Sequence, residues 1–301
     1  MVVGGTGHVH QVRCERAEGF LALTVRRVEV VKLFQNRGQY DLSFRAGEHR
    51  AEQALDLVKP VVGLKLGAYG LLRFAIPLAP EAAQDLHWLL AGLGTLTLLY
   101  GAVGILAQSN LRVGLAYASI CHVGLAVLGL ASFSAQGVQG AVSLLLSFSV
   151  ASGGAFLLLE FLRQRTGSTD IHSLGGAART MPLLASGFLI CGLAGVGMPG
   201  TSSFPGEFML ILAALQSHTG AGMAALFGLA IAAAGFLVLY RKAFFGPLVR
   251  SEVRDAEDLR PREWAVLVIL IFLIGAIGLY PQPWLEVVRP AAEAWAAGVV
   301  R

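Results

Sequence analysis

From residue 61 onward, the sequence is a succession of long apolar stretches joined by short polar connections. The whole chain is 55% hydrophobic and only 14% charged, and its mean hydropathy is +0.66. A soluble domain carries about 25% charged residues, so the composition argues against a water-soluble globule. A helix of about 20 apolar residues crosses a bilayer. The sequence therefore predicts an all-α, polytopic membrane helix bundle.

The apolar stretches predict about seven transmembrane spans. They lie near 61–78, 87–108, 113–132, 138–162, 181–216, 222–242 and 263–281. The fifth stretch is too long for one straight span, so we expect it to be broken, tilted or bent.

The charges of the connections predict an orientation. Ten Lys or Arg residues fall in three connections, near 109–112, 163–180 and 241–262. None falls in the alternate connections, near 79–86, 133–137 and 217–221. Because basic connections face the cytoplasm, the carboxyl terminus is expected outside after an odd number of crossings.

Residues 1–60 differ from the rest of the chain. They contain nine basic and seven acidic residues and no stretch long enough to span a bilayer. The start, Met1–His10, lacks the basic and apolar parts of a signal peptide. The glycine-rich Val2–Gly7 could form a nucleotide-binding turn, but no strand–turn–helix unit with a downstream acid follows. We expect a charged, poorly ordered or non-native leader at 1–60 and a transmembrane domain at 61–301.

The sequence predicts no metal, cofactor or nucleic acid for this chain. Cys14, Cys121 and Cys191 are far apart and form no CxxC or CxxH pair, which argues against a zinc site or a disulfide framework. No flavin, haem or iron–sulfur ligation pattern is present. The net charge of +4 is better explained by basic loops at a membrane than by a nucleic-acid surface.

Lys65 and His122 are ionisable residues inside predicted spans. Such residues are costly in a bilayer and usually face a cavity or a partner. Lys65 is either functional or a lysine near a helix start that snorkels to the interface. His122, halfway along the third span, either accepts and releases protons or hydrogen-bonds a neighbouring helix. Glu160, near a cytoplasmic span end, is expected to pair with Arg163 or Arg165.

Glu207 follows a segment that should break the fifth span. Residues 195–206 (GVGMPGTSSFPG) contain two prolines and four glycines amid apolar sequence. A break at membrane depth is tolerated only where protein or water satisfies the backbone. Glu207 then falls in the first turn of the second half-helix, an arrangement typical of ion-coupled transporters. The alternative is a structural glutamate in a re-entrant loop near the surface.

Several motifs in fixed order resemble the M-type, antiporter-like, proton-translocating membrane subunit of respiratory complex I (NADH–quinone oxidoreductase). They are KLGAYGLLRF at 65–74, LAYAS at 115–119 with His122, GMPG at 197–200 with GEF at 206–208, YRKAFFG at 240–246 and GLYPQP at 278–283. The resemblance covers about residues 63–300. It implies a carboxyl-terminal portion of that fold, with the second antiporter-like repeat and flanking helices, and about six amino-terminal helices missing.

The resemblance also implies roles for the ionisable residues. Lys65 matches the lysine that links two half-channels, His122 a histidine of the central hydrophilic axis, and Glu207 the acid of the broken helix. Related L-type and N-type subunits, and Mrp cation/proton antiporters, typically carry lysine in place of Glu207. Phe148 is a departure, because it stands where the family usually has another central histidine, so a relay there would need water, Ser147 or Ser149.

The resemblance implies a subunit in the inner (cytoplasmic) membrane of a bacterium that couples NADH-to-quinone electron transfer to proton pumping through Lys65, His122 and Glu207. Redox chemistry would occur in other subunits, and the expected partners are L-type and N-type neighbours within the bilayer. Two alternatives remain. The chain could belong to a multi-subunit cation/proton antiporter or a membrane-bound hydrogenase, or it could be a truncated, non-pumping structural remnant.

Overall fold

The computed structural model describes residues 63–248 and 250–299. The expected leader at 1–60 and its glycine-rich start therefore lie outside the described residues. Everything described falls within a single unit of the chain, and its regular secondary structure is helical.

The α-helices follow one another closely along the chain. In order they are α1 Leu64–Gly70, α2 Ile76–Leu78, α3 Pro80–Asp85, α4 His87–Leu106, α5 Leu111–Leu130, α6 Ala135–Thr166, α7 Ile171–Leu174, α8 Pro182–Gly195, α9 Phe204–Ser217, α10 Thr219–Phe244, α11 Ser251–Arg254, α12 Pro261–Leu279 and α13 Gln282–Val299. A π-helical turn, Leu71–Ala75, joins α1 to α2, and a 3₁₀ turn, Ala177–Arg179, precedes α8.

The helix lengths agree with a membrane bundle. Among the described residues, α4, α5, α6, α10 and α12 are long and apolar enough to cross a bilayer. The shorter apolar helices α8 and α9 are the two halves of the fifth predicted span. The interrupted segment α1–α2 corresponds to the first. The predicted all-α membrane bundle with one broken helix is confirmed.

The fifth span breaks where the prolines and glycines predict. α8 ends at Gly195, and α9 begins at Phe204 with Pro205 in its first turn. Between them, Gly197 and Gly200 have φ angles of +69° and +89°, and residues with a Cβ rarely adopt such values. The chain therefore leaves the helix for eight residues before the second half begins.

Close backbone contact fixes α9 against α6. A Cβ placed on Gly206 would lie 2.7 Å from the backbone nitrogen of Leu144. Small residues at such crossings let membrane helices approach closely. This contact brings the first turn of α9, and Glu207 with it, against the middle of the bundle.

The basic connections meet at one end of the bundle. Leu111 donates its N–H to the Thr169 carbonyl (3.0 Å), and Ile171 donates to the Ser109 carbonyl (2.8 Å). Arg165 forms an ion pair with Glu263 at the start of α12. The connections that share basic residues in the sequence thus lie together at one end of the bundle.

The opposite end brings together the connections without basic residues. His87, at the start of α4, contacts His218, at the end of α9. The amphipathic helix α13, which the sequence analysis did not predict, also lies here. Its Trp295 indole donates to the Leu72 carbonyl (2.9 Å), and its Leu285 carbonyl accepts from the Gln139 amide (2.7 Å). α13 thereby connects the π-helical turn with the start of α6.

Candidate functional site: a buried proton-binding cluster at the helix break

Glu207 lies in the first turn of α9 and is 4% exposed. Its backbone N–H donates to the Ser203 carbonyl at 3.0 Å. The position matches the prediction that this acid begins the second half-helix. The exposed amide groups of a helix start favour a negative charge nearby, whereas burial opposes it.

Gly197 provides the space for the Glu207 carboxyl group. A Cβ on Gly197 would lie 1.8 Å from Glu207 Oε2, which is an impossible contact, and the φ angle of +69° independently favours glycine. The sequence analysis included Gly197 in the break but did not identify this contact. The cluster of glycines and prolines was the available signal.

His122 is the direct partner of Glu207. It lies on α5, is 2% exposed, and places Nε2 3.1 Å from Glu207 Oε1. Its Nδ1 lies 2.7 Å from the Ala118 carbonyl oxygen. A carbonyl oxygen only accepts hydrogen bonds, so Nδ1 must carry a proton. The hydrogen bond between Nε2 and Oε1 then requires one further proton, which either His122 or Glu207 can carry.

The hydrogen bond of the His122–Glu207 pair therefore contains one proton in addition to the one on Nδ1. With that proton the pair has no net charge, whether it is a carboxylic acid beside imidazole or a carboxylate beside imidazolium. Without the proton it carries one negative charge in a buried site, which is unfavourable unless a positive charge lies nearby.

Lys65 is buried and does not reach the surface of the bundle. It is 8% exposed, and its Nζ donates to Ser149 Oγ at 2.9 Å and to Ser152 Oγ at 3.4 Å. These two hydroxyls lie three residues apart on the same face of α6. The snorkelling alternative does not describe this geometry, because the ammonium group is directed at α6. The sequence analysis did not identify Ser152 as a partner.

Phe148 contacts both His122 and Lys65. Its ring stacks on the His122 ring, with centroids 4.0 Å apart and planes inclined by 17°. Lys65 Nζ lies 4.9 Å from the Phe148 ring centroid, within the range of a cation–π interaction. The structure thus brings His122 and Glu207 into direct contact, while Phe148 mediates the contact of Lys65 with this pair.

Two hydroxyls in the break lack partners within the described residues. Ser202 and Ser203 are 2% and 0% exposed, and neither Oγ has a hydrogen-bond partner. Buried hydroxyls are normally satisfied by protein or by ordered water. The break next to Glu207 therefore has polar groups that can bind water.

Glu160 belongs to a separate cluster near the basic end. Its carboxylate accepts hydrogen bonds from Arg163 (2.7 Å) and from Arg112 on α5 (2.8 Å). Pairing with Arg163 agrees with the prediction, whereas Arg165 pairs with Glu263 instead. The cluster joins α5 to α6.

The described residues contain no group of three or more His, Cys, Asp or Glu side chains that could hold a metal ion. Cys121 and Cys191 are buried, free thiols. The ionisable side chains of the cluster are those of His122, Glu207 and Lys65.

Comparisons with known proteins show the family to which the chain belongs. The model of the family described as NADH:quinone oxidoreductase/Mrp antiporter, TM, matches residues 57–232. NADH-quinone oxidoreductase subunit M of Rhodobacter capsulatus is 33% identical over 242 residues, which are 80% of this chain and 47% of that protein. The chain thus spans about half the length of this curated relative.

Solved structures support the same relationship. A chain of respiratory complex I from Thermus thermophilus with bound NADH is 35% identical, with a TM-score of 0.74, over 78% of this chain and 49% of that one. A chain of the Mrp complex from Dietzia sp. DQ12-45-1b has a TM-score of 0.69 at 21% identity, over 79% and 53%, and shares the fold. The chain is an integral membrane protein that belongs to the NADH:quinone oxidoreductase/Mrp antiporter transmembrane family.

Proposed function

We propose that this chain is a proton-translocating membrane subunit of NADH–quinone oxidoreductase. Electron transfer from NADH to quinone would occur in other subunits, and this chain would move protons through Lys65, His122 and Glu207. The observation that carries the proposal is the buried His122–Glu207 pair at the helix break, with its Nε2···Oε1 distance of 3.1 Å. Similarity to subunit M and to a complex I structure supports the assignment.

The geometry suggests how the residues would act. The His122–Glu207 pair binds one exchangeable proton, and the polar break beside it offers water a way to deliver or remove that proton. A positively charged Lys65 favours the deprotonated, negative state of the pair, whereas a neutral Lys65 favours the protonated state. A change in the charge of Lys65 would thus load or unload the pair.

The proposed partners are other membrane subunits, namely L-type and N-type antiporter-like neighbours. The proposed location is the cytoplasmic membrane of a bacterium, with the basic end of the bundle inside and the carboxyl terminus outside. A reporter that is active only outside the cytoplasm, fused after Arg301, tests the orientation. Activity of a reporter that functions only in the cytoplasm would instead place the carboxyl terminus inside.

Two other functions remain as alternatives. The shared fold of the Mrp complex chain is compatible with a subunit of a cation/proton antiporter, and a subunit of a membrane-bound hydrogenase is the related alternative. The position of Phe148, where the family resemblance predicts histidine, favours a non-pumping structural subunit. Neighbouring genes for flavin and iron–sulfur subunits would favour complex I.

Substitution of Glu207 tests the proposed function directly. Glu207→Gln preserves size and hydrogen bonding but removes the titrating group, whereas Glu207→Asp retains it on a shorter side chain. We expect Gln to abolish proton pumping in the reconstituted assembly while the protein still inserts, and Asp to retain part of it. Glu252→Gln removes an exposed carboxylate on α11 and is the control. Normal pumping by both Glu207 variants would leave Glu207 as a structural residue of the break.

A further inference from the structure

Phe148 is the side chain that contacts both His122 and Lys65. Its phenyl ring is 2% exposed. A phenyl ring has neither a donor nor an acceptor that could pass a proton. A direct transfer from Lys65 to the His122–Glu207 pair therefore cannot use this side chain.

The serines around Phe148 do not supply a bypass, because their protons are already used. The hydroxyls of Ser147, Ser149 and Ser152 each donate to a backbone carbonyl of α6, at distances of 2.8, 2.6 and 2.6 Å. Ser149 and Ser152 also accept from Lys65. A proton leaving Lys65 would reach a hydroxyl whose own proton points back into its helix.

A small cavity beside the ring is the other route. Its volume is about 30 Å³, and its polar side chains are His122 and Ser152. Its other walls are apolar side chains, glycines and the Cys191 thiol. The volume would admit a water molecule, which needs roughly 10–15 Å³ and two to four polar partners. His122 and Ser152 already donate their protons to backbone carbonyls. A water there would find no strong side-chain donor and only the remaining lone pair of Ser152 Oγ as a strong side-chain acceptor, which is fewer than the two to four polar partners that hold a buried water.

We propose that Phe148 is a proton barrier that keeps Lys65 and the His122–Glu207 pair as two separate proton sites. This inference rests on the proposed function, and it adds that the two sites influence each other by charge and contact rather than by exchange of a proton. The charge of Lys65 acts across the ring, while each site exchanges protons through its own path.

Passive proton flux into liposomes that contain the full chain tests the barrier. An imposed potassium diffusion potential drives the protons, and a pH-sensitive dye inside the liposomes records them. Phe148→His introduces a titratable ring of similar shape between Lys65 and His122. A positioned acid–base side chain accelerates proton transfer by about a hundredfold or more, and we expect a rise of that order in flux.

Two matched variants separate a barrier from a structural role. Phe148→Leu keeps an apolar side chain at the site, and we expect flux at the wild-type level. Phe156→His places the same histidine at another buried position of α6, 1% exposed and absent from the cavity wall, and again no rise is expected. Wild-type flux in Phe148→His would overturn the proposal, as would an equal rise in Phe156→His or in Phe148→Leu.

The double variant Phe148→His/Glu207→Gln distinguishes this proposal from the proposed function. If both hold, removal of the acid returns the flux to the wild-type level. If the flux of the double variant stays as high as that of Phe148→His, the barrier is supported but Glu207 does not lie on the proton path.

Discussion

At the scale of single residues, the hydrogen bonds of the cluster determine which atoms of His122 and Glu207 carry protons. The Ala118 carbonyl fixes a proton on Nδ1 of His122, so that Nε2 and Glu207 share the next one. The same backbone hydrogen bond also holds the imidazole ring in the orientation that meets Glu207.

Gly197→Ala should disrupt this pair although it changes no titratable group. The methyl group would collide with Glu207 Oε2, and a φ angle of +69° costs a residue with a Cβ about 1–2 kcal/mol. We expect a lower melting temperature and loss of most pumping. Gly195→Ala is the control, since its Cβ would meet Phe148 Cε2 at an ordinary 3.6 Å. Equal tolerance of both variants would contradict the role given to Gly197.

Proton pumping should be impaired both when the charge of Lys65 is removed and when it is made permanent. Lys65→Met deletes the ammonium group that Ser149 and Ser152 bind, and Lys65→Arg keeps a charge that arginine does not release. We expect both variants to impair pumping in the assembly that the chain joins. Lys242→Met, an exposed lysine at the end of α10, is the control. Wild-type pumping by Lys65→Arg would exclude lysine deprotonation from the mechanism.

At the scale of helices, the local sequence predicts where a helix breaks better than it predicts which distant residues are in contact. The prolines and glycines of 195–206 identify the broken span because their backbone effects are local. The contact of Phe148 with Lys65 links residues 83 positions apart, and only the packed bundle determines it. The π-helical turn at Leu71–Ala75 has no such local signal, and α13 is too polar for a search based on apolar spans.

The start of α8 should depend on one aspartate from a distant connection. Asp258 accepts from the Leu183 and Leu184 backbone N–H groups at 2.8 and 3.1 Å, which are otherwise unsatisfied at a helix start. Asp258→Ala should lower the free energy of unfolding by about 1 kcal/mol, as for loss of a helix cap. Thermal unfolding in detergent measures it, with the exposed Asp255→Ala as control. A change no larger than that of Asp255→Ala would show that the cap is dispensable.

The contact between α4 and α9 should weaken in acid. His87 Nδ1 and His218 Nε2 lie 2.8 Å apart, and burial, followed by the charge of His87, lowers the pKa of His218 from its ordinary value. A lowered pKa in the folded state stabilises the fold above the unfolded value of about 6.5. That stability is lost as the pH falls through the folded value.

Comparison of melting temperatures at neutral and mildly acidic pH measures this effect. His218→Gln should reduce the acid-induced decrease, because it removes the proton-binding group. His172→Gln, which removes an exposed histidine of α7, should leave the decrease unchanged. An unaltered decrease in His218→Gln would place the acid sensitivity elsewhere.

At the scale of the whole molecule, α6 connects the two ends of the bundle through the proton-binding cluster. Gln139 near its start bonds α13, Phe148 and its serines lie in the middle, and Glu160 near its end bonds Arg112 and Arg163. A shift of the helix as a rigid rod would move all three regions together. Such a helix offers a physical link between the two ends of the bundle and the buried cluster.

The length of α6 has a consequence for the lipid around it. Its 32 residues rise 1.5 Å each and so extend for about 48 Å, while the hydrocarbon core of a bilayer is about 30 Å thick. The mismatch has to be relieved by tilt, by local thickening of the bilayer, or by extension of the charged Glu160 end beyond it. Bilayer thickness therefore acts on the same helix that contacts Lys65, and thinner or thicker membranes should alter the proposed proton transfer.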